Sequence, residues 1–600
     1  MERLLLGNEA IARGIVESGA EVVTSYPGTP SSEILPAVAH FYKEEGIDAA
    51  VVEWCVNEKV AFEIAATASF AGKRAAVTMK QVGLNVAYDP FMSVAYNDIA
   101  AGFLVVVADD PGPHSSQTEQ DSRFAAMMAK VPVFDPSSPR EAKEMVKFAY
   151  NLSEKYNILV MLRPGLRVCH ARQNVPIESI DFSPRKGNFV KNPERWVCLP
   201  AIRRRHHERL NQKIREISKE RDIFSWIESP KKAEVGIIAS GVSYAIAKDI
   251  VNNYSLDIPL MKVGRAFPLD ETLLEEFLSL CDRVLVFEET YPVVELQIPD
   301  RSRVLGKWNE VVPSSGELTP EVIASVMAKF FDISVPQIPS DYDEALSSLG
   351  IRVRKPILCA GCPHRASFFA MRKAFPKGVY PSDIGCYTLG INQKAVDSVM
   401  CMGGAVTMGS GFSVSLEDDI PIVSTIGDST FYHMGVPGLI NAVYNKHKFI
   451  LFILDNHTTA MTGGQPTPEF GINLMKDGER VDLLKLIQGC GVDFVKVVNP
   501  YNVSDTVSAL KDAWEYVRNN GRVAVVIAKH PCKLLERKRY DKKVYVDKET
   551  CTGCRYCVSE FGCPGLGFDE EGKKAFVDPR FCINCGVCVQ VCPTKAIKEE

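Results

Sequence analysis

Eight of the eighteen cysteines in this 600-residue chain fall within its last fifty residues, in two runs that each end in Cys-Pro. The runs are Cys551-x2-Cys554-x2-Cys557-x5-Cys563-Pro564 and Cys582-x2-Cys585-x2-Cys588-x3-Cys592-Pro593. Soft thiolates at this spacing hold iron–sulfur cubanes, and the fourth Cys of each run ligates the cluster of the other. The pattern sets Cys551, Cys554, Cys557 and Cys592 around one [4Fe-4S] cluster. Cys563, Cys582, Cys585 and Cys588 surround a second. Such clusters carry electrons singly, so the chemistry is redox. Five residues rather than three precede Cys563, a longer loop that still carries the thiolate across.

A second constellation follows the apolar run Ile420–Ile426. There Gly427-Asp428-Ser429 leads into a helical stretch, and Asn456 comes 28 residues after Asp428, at the end of the next apolar run. Asp428 and Asn456 then stand at the carboxyl ends of neighbouring strands, where open α/β sheets bind ligands. Hard oxygen ligands suit Mg2+, whose other positions go to diphosphate oxygens, and Thr458 can add its backbone oxygen. Glycine permits the tight turn, and the helix that follows offers N–H groups to phosphate. Gly403-Gly404 upstream can approach the same diphosphate, and Met461-Thr462-Gly463-Gly464-Gln465 downstream would close over it. A Gly-Asp, then an Asn at this distance, resembles the metal-diphosphate motif of thiamine diphosphate enzymes, with Ser429 in place of the usual second glycine.

Near the amino end, Asn57-Glu58-Lys59-Val60-Ala61 opens an alanine-rich helix after an apolar strand. The segment resembles the His-Glu-x-x-Ala segment of thiamine decarboxylases, which makes Glu58 the candidate carboxylate for holding the aminopyrimidine of thiamine, with Glu53 the weaker alternative. A glutamate here also suits a helix start on electrostatic grounds alone. Tyr26-Pro27-Gly28-Thr29-Pro30-Ser31-Ser32 reads either as a Pro/Gly turn with a helix cap or as a substrate loop, with the Thr29 hydroxyl near a 2-oxo acid. His114, Gln117, Gln120 and Arg123 are candidates for the substrate carboxylate, in what is otherwise a polar loop.

The elements that must position these residues alternate short apolar strands with helices, the signature of parallel sheets wound with helices. The predicted strands of the first unit are Glu21–Ser25, Ala49–Glu53, Ala75–Met79, Phe103–Ala108 and Ile158–Leu162, with a helix over Val60–Phe70. Residues 186–232 are polar and basic and read as a connector carrying a solvated helix. A second unit has strands at Val235–Ala239, Ile258–Val263 and Arg283–Phe287. Pro336 to Pro339 reads as a hinge. A third unit has strands at Ile420–Ile426, Phe449–Leu454, Asp493–Val497 and Arg522–Ala528.

Composition sets the outer limits. The chain is 46% apolar and 24% charged with net charge -5, which argues against a general nucleic-acid binder. Its apolar runs are too short to span a bilayer. Asn8 and Glu9 interrupt the apolar start, so no signal peptide is expected. Many cysteines without an export signal point to metal or redox use in a reducing compartment, hence to an oxygen-sensitive cytoplasmic protein.

YPGTPSS with Glu58, GDS…DN…MTGGQ and the double-cluster tail together resemble the 2-oxoacid:ferredoxin oxidoreductases, and among them the large (alpha) subunits that act on aryl pyruvates such as indolepyruvate. The resemblance covers essentially the whole chain. It implies an α/β fold of three doubly wound open-sheet domains: two thiamin diphosphate-binding-fold domains and a transketolase C-terminal-like domain, followed by a C-terminal 2[4Fe-4S] ferredoxin-like module. The implied boundaries are 1–185 (pyrimidine-binding), 233–340 (transketolase C-terminal-like), 351–535 (diphosphate- and Mg-binding) and 540–600 (ferredoxin). The resemblance also implies a third [4Fe-4S] cluster near the thiamine, to which Cys359, Cys362, Cys386 and Cys532 map one by one. The remaining cysteines, 55, 169, 198, 281, 401 and 490, read as packing residues.

The implied reaction is thiamine diphosphate-dependent oxidative decarboxylation of a 2-oxo acid. Coenzyme A takes the acyl group, and electrons leave through the clusters to ferredoxin. A smaller beta subunit is expected as partner, in an alpha2beta2 assembly. Pyruvate, a branched-chain 2-oxo acid or 2-oxoglutarate is the alternative substrate. A non-oxidative thiamine lyase with structural clusters, or an electron-transfer scaffold with an inactive thiamine site, is the alternative class.

Overall fold

The computed structural model describes residues 2–180, 182–335, 341–350, 355–417, 419–536 and 539–600. The hinge expected at Pro336 to Pro339 lies outside them. The chain divides into two compact units, Met1–Leu346 and Ser347–Glu600. Its fold is α/β, with parallel-sheet domains and a small cysteine-rich domain at the carboxyl end.

The first unit is built on a seven-stranded sheet. Its order is Arg265–Phe267, Val133–Phe134, Val160–Leu162, Phe103–Ala108, Ala75–Lys80, Val22–Ser25, Val51–Trp54. All neighbours are parallel except the first pair. Every residue of Phe103–Ala108 and Ala75–Lys80 is buried, as a central parallel strand covered on both faces requires. The helix Glu58–Phe70 starts where Asn57 Oδ1 accepts the Val60 N–H at 2.8 Å, a side-chain N-cap. The five predicted strands are all present. The two extra ones, Val133–Phe134 and Arg265–Phe267, are only two and three residues long, too short for an alternation to be read.

A second sheet in this unit runs Val304–Leu305, Cys281–Phe287, Ala233–Ser240, Leu260–Val263, Trp226–Glu228. Its antiparallel edge strand Trp226–Glu228 comes from the segment read as a connector. Conversely, Arg265–Phe267 leaves this sheet to pair with the first. The connector helix Pro200–Ser218 is not simply solvated. Leu210 and Ile217 are buried, and Arg209 and Lys213 pair with Asp98 at 2.8 and 2.7 Å.

The second unit carries a parallel sheet in the order Val423–Gly427, Ile450–Asp455, Ala524–Lys529, Val495–Val498. Bridges from Val379 to Ile422 and from Ser382 to Thr425 extend it by one irregular strand. A single π turn, Phe431–Gly435, follows Asp428; such turns inside helices are frequent at functional sites. In the tail, two antiparallel pairs, Val544–Val546 with Ile597–Glu599 and Leu566–Asp569 with Lys574–Val577, frame the cysteine loops. The small core there includes Cys551, Cys557 and Cys588 beside Val544, Phe561 and Val591.

Candidate active site and cluster relay

In the second unit, Asp428 follows the buried strand Val423–Gly427 and Asn456 follows the buried strand Ile450–Asp455. The two strands are parallel neighbours, so both side chains emerge at the same sheet edge. Asp428 is 1% exposed, and its Oδ2 has no hydrogen-bond partner among the described residues. Burial first, then the neighbouring Asp455 carboxylate, pushes its pKa well above the ordinary range. A buried carboxylate in that state calls for a cation. Asn456 Oδ1 accepts the Thr458 N–H at 3.2 Å, which turns the loop so that Thr458 lies beside it. One carboxylate, one amide oxygen and a backbone oxygen make the donor set that Mg2+ takes alongside diphosphate. Ser429 Oγ meets Thr459 Oγ1 at 2.8 Å, tying the Gly-Asp turn to the following loop.

The Gly403-Gly404 turn belongs to the same region. Gly403 has φ +85°, and a Cβ there would stand 2.6 Å from Met434 Cβ, so only glycine fits. Asp383, which the motif search missed, pins this turn. Its carboxylate accepts the N–H groups of Gly403 at 3.0 Å and Ala405 at 2.8 Å. Burial raises the Asp383 pKa to about 6 against those bonds. Downstream, Thr462 and Gln465 close a small turn on each other at 2.7 Å, with Met461 exposed on its outside.

Asp455, His457 and Glu469 also present ligand atoms within 4.8 Å of one another. Lys529 already supplies a cation there, with Nζ 3.2 Å from Asp455 Oδ2 and bonded to Glu469.

The loops bearing Cys359, Cys362, Cys386 and Cys532 converge on this edge. The Cys532 N–H donates to the Asn456 carbonyl at 3.0 Å. His364, two residues past Cys362, has Nε2 3.2 Å from Asn456 Nδ2. Tyr387, next to Cys386, donates to the Ile384 carbonyl at 2.7 Å, and a Cβ on Gly427 would fall 2.4 Å from its ring. The Cys386 thiol is pushed up to about 11 by burial, then by Cys532 and Cys359, and Cys386 in turn acts on Cys362. Cys386 is thus coupled electrostatically to each of the other three thiols. Thiols held protonated in this way surrender their protons to a metal that binds them.

The tail cysteines fall into two neighbourhoods. Cys563, Cys582, Cys585 and Cys588 line one cavity, which Ala360 and Gly361 of the first Cys-x2-Cys loop also line. Cys557 is raised to about 11 by burial and then by Cys592, Cys554 and Cys551. The five-residue spacer before Cys563 brings that sulfur to the second group. Of the cysteines read as packing residues, Cys169 and Cys281 are buried, whereas Cys198 and Cys401 are exposed.

In the first unit, Glu58 opens its helix and is 4% exposed. A Cβ on Gly83 would lie 2.6 Å from Glu58 Oε1, so the carboxylate rests against bare backbone. Lys80, at the carboxyl end of its strand, is 9% exposed. Burial lowers its pKa, opposed by Asp110 and Glu58. Its Nζ donates to the Ser115 carbonyl at 3.0 Å, and Ser115 Oγ donates to the Thr29 carbonyl at 3.3 Å. Asp110 organises the loop by accepting from the Ser115 N–H at 2.8 Å and Ser116 Oγ at 2.7 Å. Glu58, Lys80 and half-buried Thr29 therefore share one edge of the sheet; Glu53 is half-buried on Val51–Trp54. Lys80 carried one sequence signal, its place at a strand's carboxyl end.

Of the candidates for the substrate carboxylate, His114 and Gln117 are exposed, and His114 Nε2 lies 3.5 Å from Glu317. Gln120 bonds Gln81 and Asn85. Arg123 is a correction: it is fully buried, and all three guanidinium nitrogens are committed. They bond Asp121, Asp135, Ser240 and the Glu289 carbonyl, with Glu288 3.3 Å away, so none is free for a substrate.

Three family models match the chain. Residues 13–212 match pyruvate flavodoxin/ferredoxin oxidoreductase, thiamine diP-bdg; residues 383–528 match thiamine pyrophosphate enzyme, C-terminal TPP binding domain; residues 543–593 match a 4Fe-4S dicluster domain. Thiamine-binding α/β domains joined to an iron–sulfur dicluster domain define a thiamine-dependent 2-oxoacid oxidoreductase. Indolepyruvate oxidoreductase subunit IorA of Pyrococcus horikoshii is 43% identical over 632 residues, covering 99% of this chain and 96% of that protein. The same subunit of Archaeoglobus fulgidus is 43% identical over 617 residues, covering 99% and 97%. The 2-oxoglutarate synthase subunit KorA of Methanothermobacter thermautotrophicus is 27% identical over 210 residues, 33% of this chain and 54% of that one. The chain belongs to the indolepyruvate oxidoreductase subunit IorA family.

Proposed function

We propose that this chain oxidatively decarboxylates aryl pyruvates, indolepyruvate foremost, to aryl-acetyl-coenzyme A and passes the electrons one at a time through three [4Fe-4S] clusters to ferredoxin. The observation that carries the reading is the knitting of Asn456 to both the Cys532 amide and His364. It sets the candidate metal-diphosphate ligands against four clustered thiols.

Asp428, Asn456 and the Thr458 backbone oxygen would hold Mg2+, with Gly403, Gly404, Gly427, Ser429, Met461 and Thr462 around the diphosphate. When bound, thiamine diphosphate supplies a ring that accepts the electron pair left as CO2 departs. Glu58 would offer a buried carboxylate oxygen to the aminopyrimidine and so orient it. Thr29, with His114 and Gln117, would bind the 2-oxo acid; Arg123 holds its own network instead. Cys359, Cys362, Cys386 and Cys532 would take electrons first, and the two tail clusters next. A smaller beta subunit completes the enzyme as alpha2beta2. Among the described residues no helix is long and apolar enough to cross a membrane. The reading places the enzyme in the cytoplasm.

The test is anaerobic dye reduction by the purified heteromer with indolepyruvate, pyruvate and 2-oxoglutarate, with and without coenzyme A. Highest kcat/KM on indolepyruvate, dependent on coenzyme A, is expected. Higher efficiency on pyruvate overturns the substrate, and failure of the acid to bleach the clusters overturns the oxidative class.

A further inference from the structure

Arg365 sits in the first turn of the helix Pro363–Ala374 and is 3% exposed. Among the described residues no carboxylate pairs with it, whereas Arg372, two turns on in the same helix, meets Glu560 at 2.9 Å. Among the described residues its guanidinium bonds only backbone carbonyls. One nitrogen donates to Phe561 O at 3.0 Å and Gly562 O at 2.6 Å, and another donates to Leu358 O. Its Nε has no partner among the described residues.

Those carbonyls have one thing in common. Leu358 directly precedes Cys359, and Phe561-Gly562 directly precedes Cys563. The arginine therefore straps the first Cys-x2-Cys loop to the longer loop of the tail. Gln393 reinforces the strap, donating to the Arg365 carbonyl at 3.2 Å and to Phe561 O at 3.4 Å. Beside it the two loops touch directly, since a Cβ on Gly361 would fall 2.1 Å from Ile583 Cδ1.

A buried guanidinium without an anion is costly. The groups that oppose its burial are three thiols, Cys563 first, then Cys362 and Cys359. These belong to two different cluster sets. Cluster reduction adds negative charge to an already anionic group, so a fixed cation nearby favours the reduced form. Net charge and hydrogen bonding around the sulfurs are among the levers that set such potentials.

We propose that Arg365 is the shared counter-charge of the cluster held by Cys359, Cys362, Cys386 and Cys532 and the cluster held by Cys563, Cys582, Cys585 and Cys588, raising the reduction potentials of both. It is a positioning residue that acts through the clusters, and the inference rests on the cluster assignments of the proposed function. The cluster of Cys551, Cys554, Cys557 and Cys592 is the internal control, because the thiols that act most strongly on Arg365 are Cys563, Cys362 and Cys359 and include none of its ligands.

The test is an EPR-monitored redox titration of the anaerobic heteromer, wild type against R365M and R365K, with iron and sulfide counted in each. With full iron, R365M is expected to move two of three cluster waves to more negative potential and leave the third, while R365K stays near wild type. Three unmoved waves in R365M, three equal shifts, or R365K displaced as far as R365M overturns the proposal. If R365M loses iron, R365K decides: full iron with wild-type waves supports the counter-charge, and iron loss in R365K overturns it. Clusters missing from the wild type would instead sink the proposed function on which this rests.

Discussion

His364 Nε2 accepts a hydrogen bond from Asn456 Nδ2 at 3.2 Å. Burial holds the His364 pKa down at about 4, and an amide nitrogen can only donate, so the contact selects the tautomer whose lone pair is on Nε2. The contact fixes the rotamer of the Asn456 amide and turns Oδ1 toward the Thr458 N–H and the proposed metal position. Such outer partners typically govern 10- to 100-fold of metal affinity. H364F should therefore weaken Mg2+ binding, measured by calorimetry in the presence of thiamine diphosphate, by about that factor. H364Q, which keeps an acceptor, should lose less. Equal affinity in H364F and wild type would remove His364 from the site.

Asp428 poses a conflict between stability and binding. Its unpartnered buried oxygen costs the metal-free protein free energy that a cation recovers. D428N should raise the apparent melting temperature of the metal-free protein while abolishing the further rise that Mg2+ with thiamine diphosphate produces. Differential scanning fluorimetry with and without the pair reads both effects. A ligand-induced shift retained in D428N would show that the metal binds elsewhere.

The Gly403 turn predicts a loss confined to the cofactor. G403A carries about 1–2 kcal/mol from the left-handed backbone alone. Its Cβ also meets Met434 at 2.6 Å, so Asp383 can no longer hold both amides in place. Thiamine diphosphate affinity should fall at least tenfold with iron content unchanged. Iron loss in parallel would mean that the turn supports the whole unit rather than the diphosphate.

In the first unit, burial drives Glu288 and Glu289 up to about 7, with Arg123 and Arg163 respectively pulling the other way. Both are acids whose folded pKa exceeds the unfolded one, so the folded state binds the extra protons. Their contribution is fully present below about pH 4.5 and is lost as pH rises toward 7. Glu289 Oε1 also lacks a hydrogen-bond partner among the described residues. E289Q should match wild type near pH 5 and exceed it near pH 8, by on the order of 3 kcal/mol. Urea or thermal unfolding across that range checks the sign; a variant less stable than wild type at pH 8 contradicts it.

Some of the proposed site was legible because its candidate ligands lie close along the chain. Cys-x2-Cys spacing fixes sulfurs on one loop whatever surrounds it, and Gly-Asp at one strand end with Asn at the next follows from strand length alone. Buried parallel strands such as Phe103–Ala108 and Ile450–Asp455 announce themselves as unbroken apolar runs. Tertiary structure decided what depends on distant pairs. Asp383 reaches Gly403 across 20 residues, His364 meets Asn456 across 92, and Arg365 meets Phe561 across 196. Arg123 read as a substrate cation until its carboxylate partners, brought in from as far as Glu288, enclosed it. Likewise the edge strands Trp226–Glu228 and Arg265–Phe267 are defined by their neighbours rather than by their own three residues. Local spacing determines which atoms can share a metal or a turn; only the folded chain determines which charges are buried together, because burial and Coulomb terms are sums over residues that the sequence holds far apart.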